Sequence, residues 1–125
     1  MIDIEAALTV WLQDAFEGVH ASTETPPDLE RRLPWLQVER LGGPYDGFRR
    51  DQPIVDITSF AATGTAASDL ALLVQQALHD QLQGATAGGA VFARVQTRTG
   101  PHKVPYDNPN LRRYEATYAF VVHPA

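Results

Sequence analysis

Apolar residues near the start of the chain return every three or four positions. Between Asp3 and Phe16 they are Ile4, Leu8, Trp11, Leu12, Ala15 and Phe16, one stripe of a helix that Gly18 ends. The same period returns from Thr65 to Leu82, where Ala66, Leu70, Leu73, Val74, Ala77, Leu78 and Leu82 share a face. Thr65 is placed to cap this second helix, Asp69 sits in its first turn where the helix dipole favours negative charge, and Gly84 supplies a stop. At 1.5 Å per residue such a helix spans about 27 Å, enough to cross several strands.

Elsewhere the period is two, the signature of a strand with unlike faces. Trp35 to Leu41 sets Leu36 and Val38 against Gln37 and Glu39. In Ile54 to Phe60, Val55 and Ile57 share one face and Ile54 and Phe60 the other, which predicts burial on both. Val91 to Thr99 opposes Val91, Ala93, Val95 and Thr97 to Phe92, Arg94, Gln96 and Arg98, with the arginine face expected in water. The longest strand, Arg112 to His123, alternates Tyr114, Ala116, Tyr118, Phe120 and Val122 with Glu115, Thr117, Ala119 and Val121. A short strand is expected over Val19 to Ser22.

The resulting order is αβββαββ, hairpin-linked strands with two helices set against them. That predicts an α+β two-layer sandwich, a mainly antiparallel or mixed sheet of about five strands, rather than a doubly wound sheet. Residues 1–125 read as one domain with long loops at 42–53 and 100–111. In the first loop, GGPYDGFRRDQP, turn chemistry explains the glycines and prolines, while Tyr45 and Phe48 have no obvious core to enter. It reads either as a bare hairpin tip or as a partner-binding arm built from Tyr45, Asp46, Phe48, Arg49 and Arg50. The glycine-rich stretch after the second helix reads as a flexible linker.

Composition narrows the picture. The chain has no cysteine, which excludes disulfides, thiolate catalysis and Cys-based metal sites. No apolar run approaches the length of a membrane span and no basic, then apolar, leader opens the chain, so a soluble, intracellular protein is expected. The net charge of -5 is unevenly spread. Residues 1–30 hold Asp3, Glu5, Asp14, Glu17, Glu24, Asp28 and Glu30 with no Lys or Arg, whereas Arg94, Arg98, Lys103, Arg112 and Arg113 face only Asp107 over 94–113. These are either two solvated faces or complementary patches that meet between copies, with Asp3, Glu5, Asp14 and Glu17 on one side and Arg94, Arg98, Arg112 and Arg113 on the other. An acidic domain is poorly suited to gripping nucleic acid by its phosphates.

Signs of catalysis are weak. His20, His79, His102 and His123 show no metal-ligand spacing, and His79 is expected on the exposed side of its helix. Gly84, Gly88 and Gly89 follow a helix and precede a strand, the reverse of a phosphate-binding loop. Asp51 and Asp56 read as solvated strand-end acids, and Trp11 and Trp35 as core or core-edge residues. No enzyme, metal or cofactor is predicted.

Three motifs carry a resemblance. They are the lead segment Pro26, Leu29, Leu33, Pro34, Gln37, Val38, Arg40, Gly42, Gly43; the Val55-Asp56-Ile57 strand; and the terminal Arg112-Arg113-Tyr114 with Ala116, Thr117 and Tyr118. In that order, over nearly the whole chain, they resemble the tail terminator proteins of long-tailed (siphovirus-type) bacteriophages, especially those infecting actinobacteria. The resemblance implies a structural virion protein without cofactor, assembled in the host cytoplasm. It implies a ring, usually a hexamer, that caps the major tail (tube) protein at the head-proximal end of the tail and docks it to the head connector, with DNA only passing through the lumen. A head-completion or tail-assembly adaptor, and a small enzyme of unrecognised class, stay open as alternatives.

Overall fold

The computed structural model describes residues 2–44 and 51–125. Helix α1, Ile4–Ala15, forms where the apolar stripe predicts it; Asp3 Oδ1 accepts the Ala6 N–H at 3.0 Å as N-cap, and Ile4, Ala7, Leu8 and Leu12 are buried. Helix α2, Gly64–Ala77, starts earlier than expected. Its cap is Thr63, whose Oγ1 accepts the Ala66 N–H at 3.1 Å, and Thr65 is already helical. Its inward side is Ala67, Leu70, Ala71, Val74 and Ala77, whereas Ala66 and Leu73, expected on that face, lie in water. Alanines at 67 and 71 let the helix lie close on the sheet. Residues 78–82 continue in π geometry, the Gln83 N–H reaching back to the Leu78 carbonyl at 3.1 Å, and this wider turn sends both Leu78 and Leu82 into the core.

The strands are β1 (His20–Ser22), β2 (Trp35–Gly42), β3 (Ile54–Ala61), β4 (Thr86–Ala87), β5 (Ala90–Val104) and β6 (Arg112–Pro124). They form one sheet in the order β1-β2-β3-β6-β5-β4, parallel between β1 and β2 and antiparallel elsewhere. The α+β class holds, with one strand more than expected. The extra strand, β4, replaces the expected linker: Gly88 and Gly89, at φ 58 and 77, turn the chain straight back into β5.

β5 departs from simple alternation. Phe92 pairs with Val122 and Arg94 with Val121, so Ala93 is an inserted residue, and the bulge lets Phe92 and Val95 point to the same buried side. Phe92 thus leaves the arginine face on which strict alternation placed it, while Arg94 and Arg98 remain exposed. Gln83 Oε1 accepts the Val95 N–H at 2.9 Å beside the bulge. Further irregularities after Thr97 and Thr99 carry β5 through Gly100 and Pro101 to Val104, which shortens the second loop to 105–111.

Both helices pack on one side of the sheet over the main core, where Phe92 and Phe120 meet edge to face at 5.7 Å between ring centres. The other side carries a smaller cluster of Leu29, Trp35, Phe60 and Leu111 under the loops, the two-sided burial expected of β3. α1 touches β1 and β2 at one end of the sheet and β4 at the other, so the sheet curls until one helix covers both of its edges. The contact is tight: a Cβ at Gly88 would stand 2.6 Å from Ala7 Cβ.

Gly88→Ala therefore combines a left-handed backbone, about 1 kcal/mol, with a collision costing about 1–3 kcal/mol. Gly89→Ala, with open space around its Cβ, bears only the backbone cost. Urea unfolding is expected to show the larger loss at 88; equal losses would mean that α1 does not close the sheet there.

Candidate functional site

The connection between β2 and β3 leaves the sheet through a fixed root. Arg40 Nη1 and Nη2 donate to the two carboxylate oxygens of Asp51, each at 2.8 Å, in a two-pronged pair whose acid is only 3% exposed. Arg40 Nε donates to the Gly42 carbonyl at 3.1 Å, and Glu5 Oε2, reaching from α1, accepts the Arg40 backbone N–H at 3.1 Å. The Asp51 backbone exchanges both hydrogen bonds with Val122 of β6, at 2.9 Å each. Gln52 N–H donates to the Pro44 carbonyl at 2.9 Å, and Gly43, at φ 110, is required there because a Cβ would lie 2.1 Å from the Gln52 oxygen. Tyr45, Asp46, Phe48, Arg49 and Arg50, the expected arm, lie outside the described residues.

Asp51 is thus not the solvated strand-end acid that the sequence suggests. It extends the β6 ladder beyond β3, and a carboxylate taken out of water there needs the Arg40 guanidinium. The hydrogen bond to Asp51, with the charges of Asp51 and Glu5, holds the Arg40 pKa above its ordinary value against the effect of burial.

The sheet face opposite the helices is polar at its centre. Glu39, Asp56 and Thr117 stand side by side across β2, β3 and β6, and Gln37, Thr58, Glu115 and His102 form the next row. Thr117 Oγ1 donates to Asp56 Oδ1, so Asp56 too is half-buried and bonded rather than solvated. Glu115, diagonal to Asp56, has its pKa raised by burial, by a hydrogen bond to Asp56 and by the Asp56 charge, with Arg113 and His102 opposing. Toward the β5 side, Arg94 and Arg98 border a shallow depression floored by Ile54, Ala119 and Val121, next to the root residues Pro44 and Gln52.

The charged residues expected between copies fall into two sets. Asp3 caps α1 and Glu5 serves the Arg40 backbone. Arg112 Nη1 donates to the carbonyls of Pro109 and Leu111 at 2.8 and 3.0 Å, while Arg113 Nη2 donates to that of Pro105 at 2.9 Å and its guanidinium lies 4.8 Å over the Tyr106 ring. Those two arginines therefore latch their own loop. Asn108 and Asn110 tie its far side to Glu30, and their hydrogen bonds hold the Glu30 carboxyl below its usual range. Asp14, Glu17, Arg94 and Arg98 are exposed and have no hydrogen-bonding or ion-pair partner among the described residues.

His79, expected on the exposed side of its helix, is half-buried, its Nε2 2.7 Å from Thr97 Oγ1, which also accepts from Gln75 at 3.2 Å. Among the described residues no group of acids and histidines is arranged to hold a metal ion. The Arg40–Asp51 pair is the feature that the sequence reading missed. Its signal is an arginine ending one strand and an acid just before the next, on the two sides of a hairpin.

A model of the phage tail termination protein family matches residues 1–125. Comparison with curated proteins returned no match. The family agrees with the resemblance carried by the lead, Asp-bearing and terminal motifs.

Removing one partner of a buried ion pair leaves the other uncompensated, at a typical cost of 3–5 kcal/mol. Asp51→Ala is expected to lose about 3 kcal/mol in urea unfolding, whereas Arg98→Ala, at an exposed position, stays within about 0.5 kcal/mol. Comparable effects would deny the root its structural role. Glu115 gives a pH signature. Because its folded pKa is raised, the folded state binds more protons than the unfolded one once pH climbs past the ordinary value of 4.5, and stability falls as pH rises through the folded pKa. Glu115→Gln should accordingly be more stable than the parent at pH 7 and gain nothing at pH 4; an equal gain at both would contradict the raised Glu115 pKa.

Proposed function

The chain belongs to the family of phage tail termination proteins, and we propose that it works as a ring of identical subunits closing the head-proximal end of the tail tube and joining it to the head connector. Membership makes it a structural component of the virion tail, with partners among other tail components. The hexameric count implied by the family resemblance is part of the proposal, as are the tube protein and connector as its two neighbours.

The observation that carries the reading is the family match over residues 1–125. The geometry supports it physically. A ring requires a heterologous contact, in which one surface of each copy meets a different surface of the next. This chain has unlike surfaces on its two sides: helices with exposed acids on one, and a polar sheet face bordered by Arg94 and Arg98 on the other. The net charge of -5 suits a passage through which DNA moves without being held, since a basic lining would retain phosphates. Tyr45, Asp46, Phe48, Arg49 and Arg50, which lie in the sequence between the two sides of the clamped root, are the proposed contacts with the tube or a neighbouring copy.

Light scattering over a range of protein and salt concentrations, with electron microscopy of any large species, tests the ring. A closed assembly that loosens with salt is expected. Protein that assembles neither alone nor on purified tail tubes would overturn the reading in favour of an adaptor. For the arm, replacing residues 45–50 with a Gly-Ser segment of equal length in the phage is expected to abolish head–tail joining; unchanged joining would remove the arm from the contact.

A further inference from the structure

On the helix side, Val10 and Asp14 stand one turn apart on the outer face of α1, with Glu17 just beyond its end. Val10 is 58% exposed, the most exposed large apolar side chain among the described residues. The last turn of α1 contains no basic residue, so Asp14 and Glu17 sit beside the negative end of the helix dipole with no ion-pair partner among the described residues. On the opposite side of the sheet, the depression floored by Ile54, Ala119 and Val121 has Arg94 and Arg98 at its border, likewise unpaired among the described residues. One surface is an apolar residue followed by two acids. The other is an apolar floor bordered by two guanidiniums.

The two surfaces lie on opposite faces of one sheet and cannot meet within a chain. We infer that the Val10–Asp14–Glu17 ridge of one copy seats in the Arg94/Arg98 depression of the next, with Val10 on the apolar floor and the carboxylates on the guanidiniums. The occupant is a second copy of this chain because the charges and the apolar patches match in kind, and Arg holds carboxylates in two-pronged geometry. Each copy carries one ridge and one depression, so the contact repeats head to tail and either closes or extends indefinitely. The inference rests on the ring reading and narrows the expected interface: of the charged residues assigned to it, Asp14, Glu17, Arg94 and Arg98 form the contact, while Asp3, Glu5, Arg112 and Arg113 serve their own subunit.

Charge exchange tests it. Asp14→Arg/Glu17→Arg gives a subunit with a basic ridge and a basic depression, and Arg94→Glu/Arg98→Glu one with an acidic ridge and an acidic depression. Each alone is expected to lose the assembled mass in light scattering while keeping the parent's circular dichroism and unfolding midpoint. Mixed in equal amounts, each ridge again meets an opposite depression, and the mass should return in a strictly alternating assembly. Variants that assemble alone like the parent overturn the pairing and leave the ring standing. Folded variants whose mixture fails to reassemble overturn the complementarity. A parent that assembles neither alone nor on tail tubes overturns the ring and the inference with it.

Discussion

A six-stranded open sheet has two edges, and in this chain a single twelve-residue helix covers both. Everything else depends on that constraint. Because α1 must touch β1 and β2 on one side and β4 on the other, the sheet has to curl, and the approach is close enough that only glycine fits opposite Ala7. Curling also explains why the edge strands are short: His20–Ser22 and Thr86–Ala87 extend only as far as the helix shields them. With both helices committed to one side, the opposite side is left to polar rows, a small apolar cluster and the loops.

That division sorts the charges. Residues near the helix ends and the loop are drawn into local duties, since orphan N–H and carbonyl groups there need partners. Asp3, Glu5, Arg112 and Arg113 are used in this way. Asp14 and Glu17 stand at the other end of α1, where the orphan groups are carbonyls that a carboxylate cannot serve, and Arg94 and Arg98 lie exposed on β5 without a partner among the described residues. The split between acidic and basic stretches in the sequence is therefore partly used within the fold and partly left exposed on its surface.

Where regular exposure governs the residues, the sequence was readable. α1, β2, β3 and β6 form where their patterns predict because each has one face on a continuous core, and Trp35 and Phe60 carry the two-sided burial of their strands. Readability failed where the deciding partner is distant. Thr63 and Thr65 are the same residue type two positions apart, and nothing local marks Thr63 as the cap of a helix that buries Ala67 and Ala71 on the sheet. The bulge at Ala93 has no mark in a period-two pattern; it arises because Phe92 and Val95 both have core to fill. Asp51 looks solvated until β6 supplies Val122 and β2 supplies Arg40. Likewise, counting charge over 94–113 cannot show that the backbone carbonyls of Pro105 and Pro109 claim Arg113 and Arg112. The tail termination family was legible because its motifs span most of the chain, whereas the arrangement of its contacts is not encoded in any one of them.

The root at Arg40 and Asp51 has a mechanical consequence. In an ordinary hairpin, a pull on the tip is borne by the last cross-strand pair, and the strands unzip one hydrogen bond at a time. Here the terminal Gly42–Ile54 pair is bypassed. Tension arriving at residue 51 passes through two backbone hydrogen bonds into β6 and through the guanidinium into β2, which Glu5 ties to α1. β6 is paired with β3 on one flank and β5 on the other, so the load is taken in shear across the middle of the sheet instead of by peeling at its margin. A connection anchored in this way transmits force to the whole sheet before it can come loose.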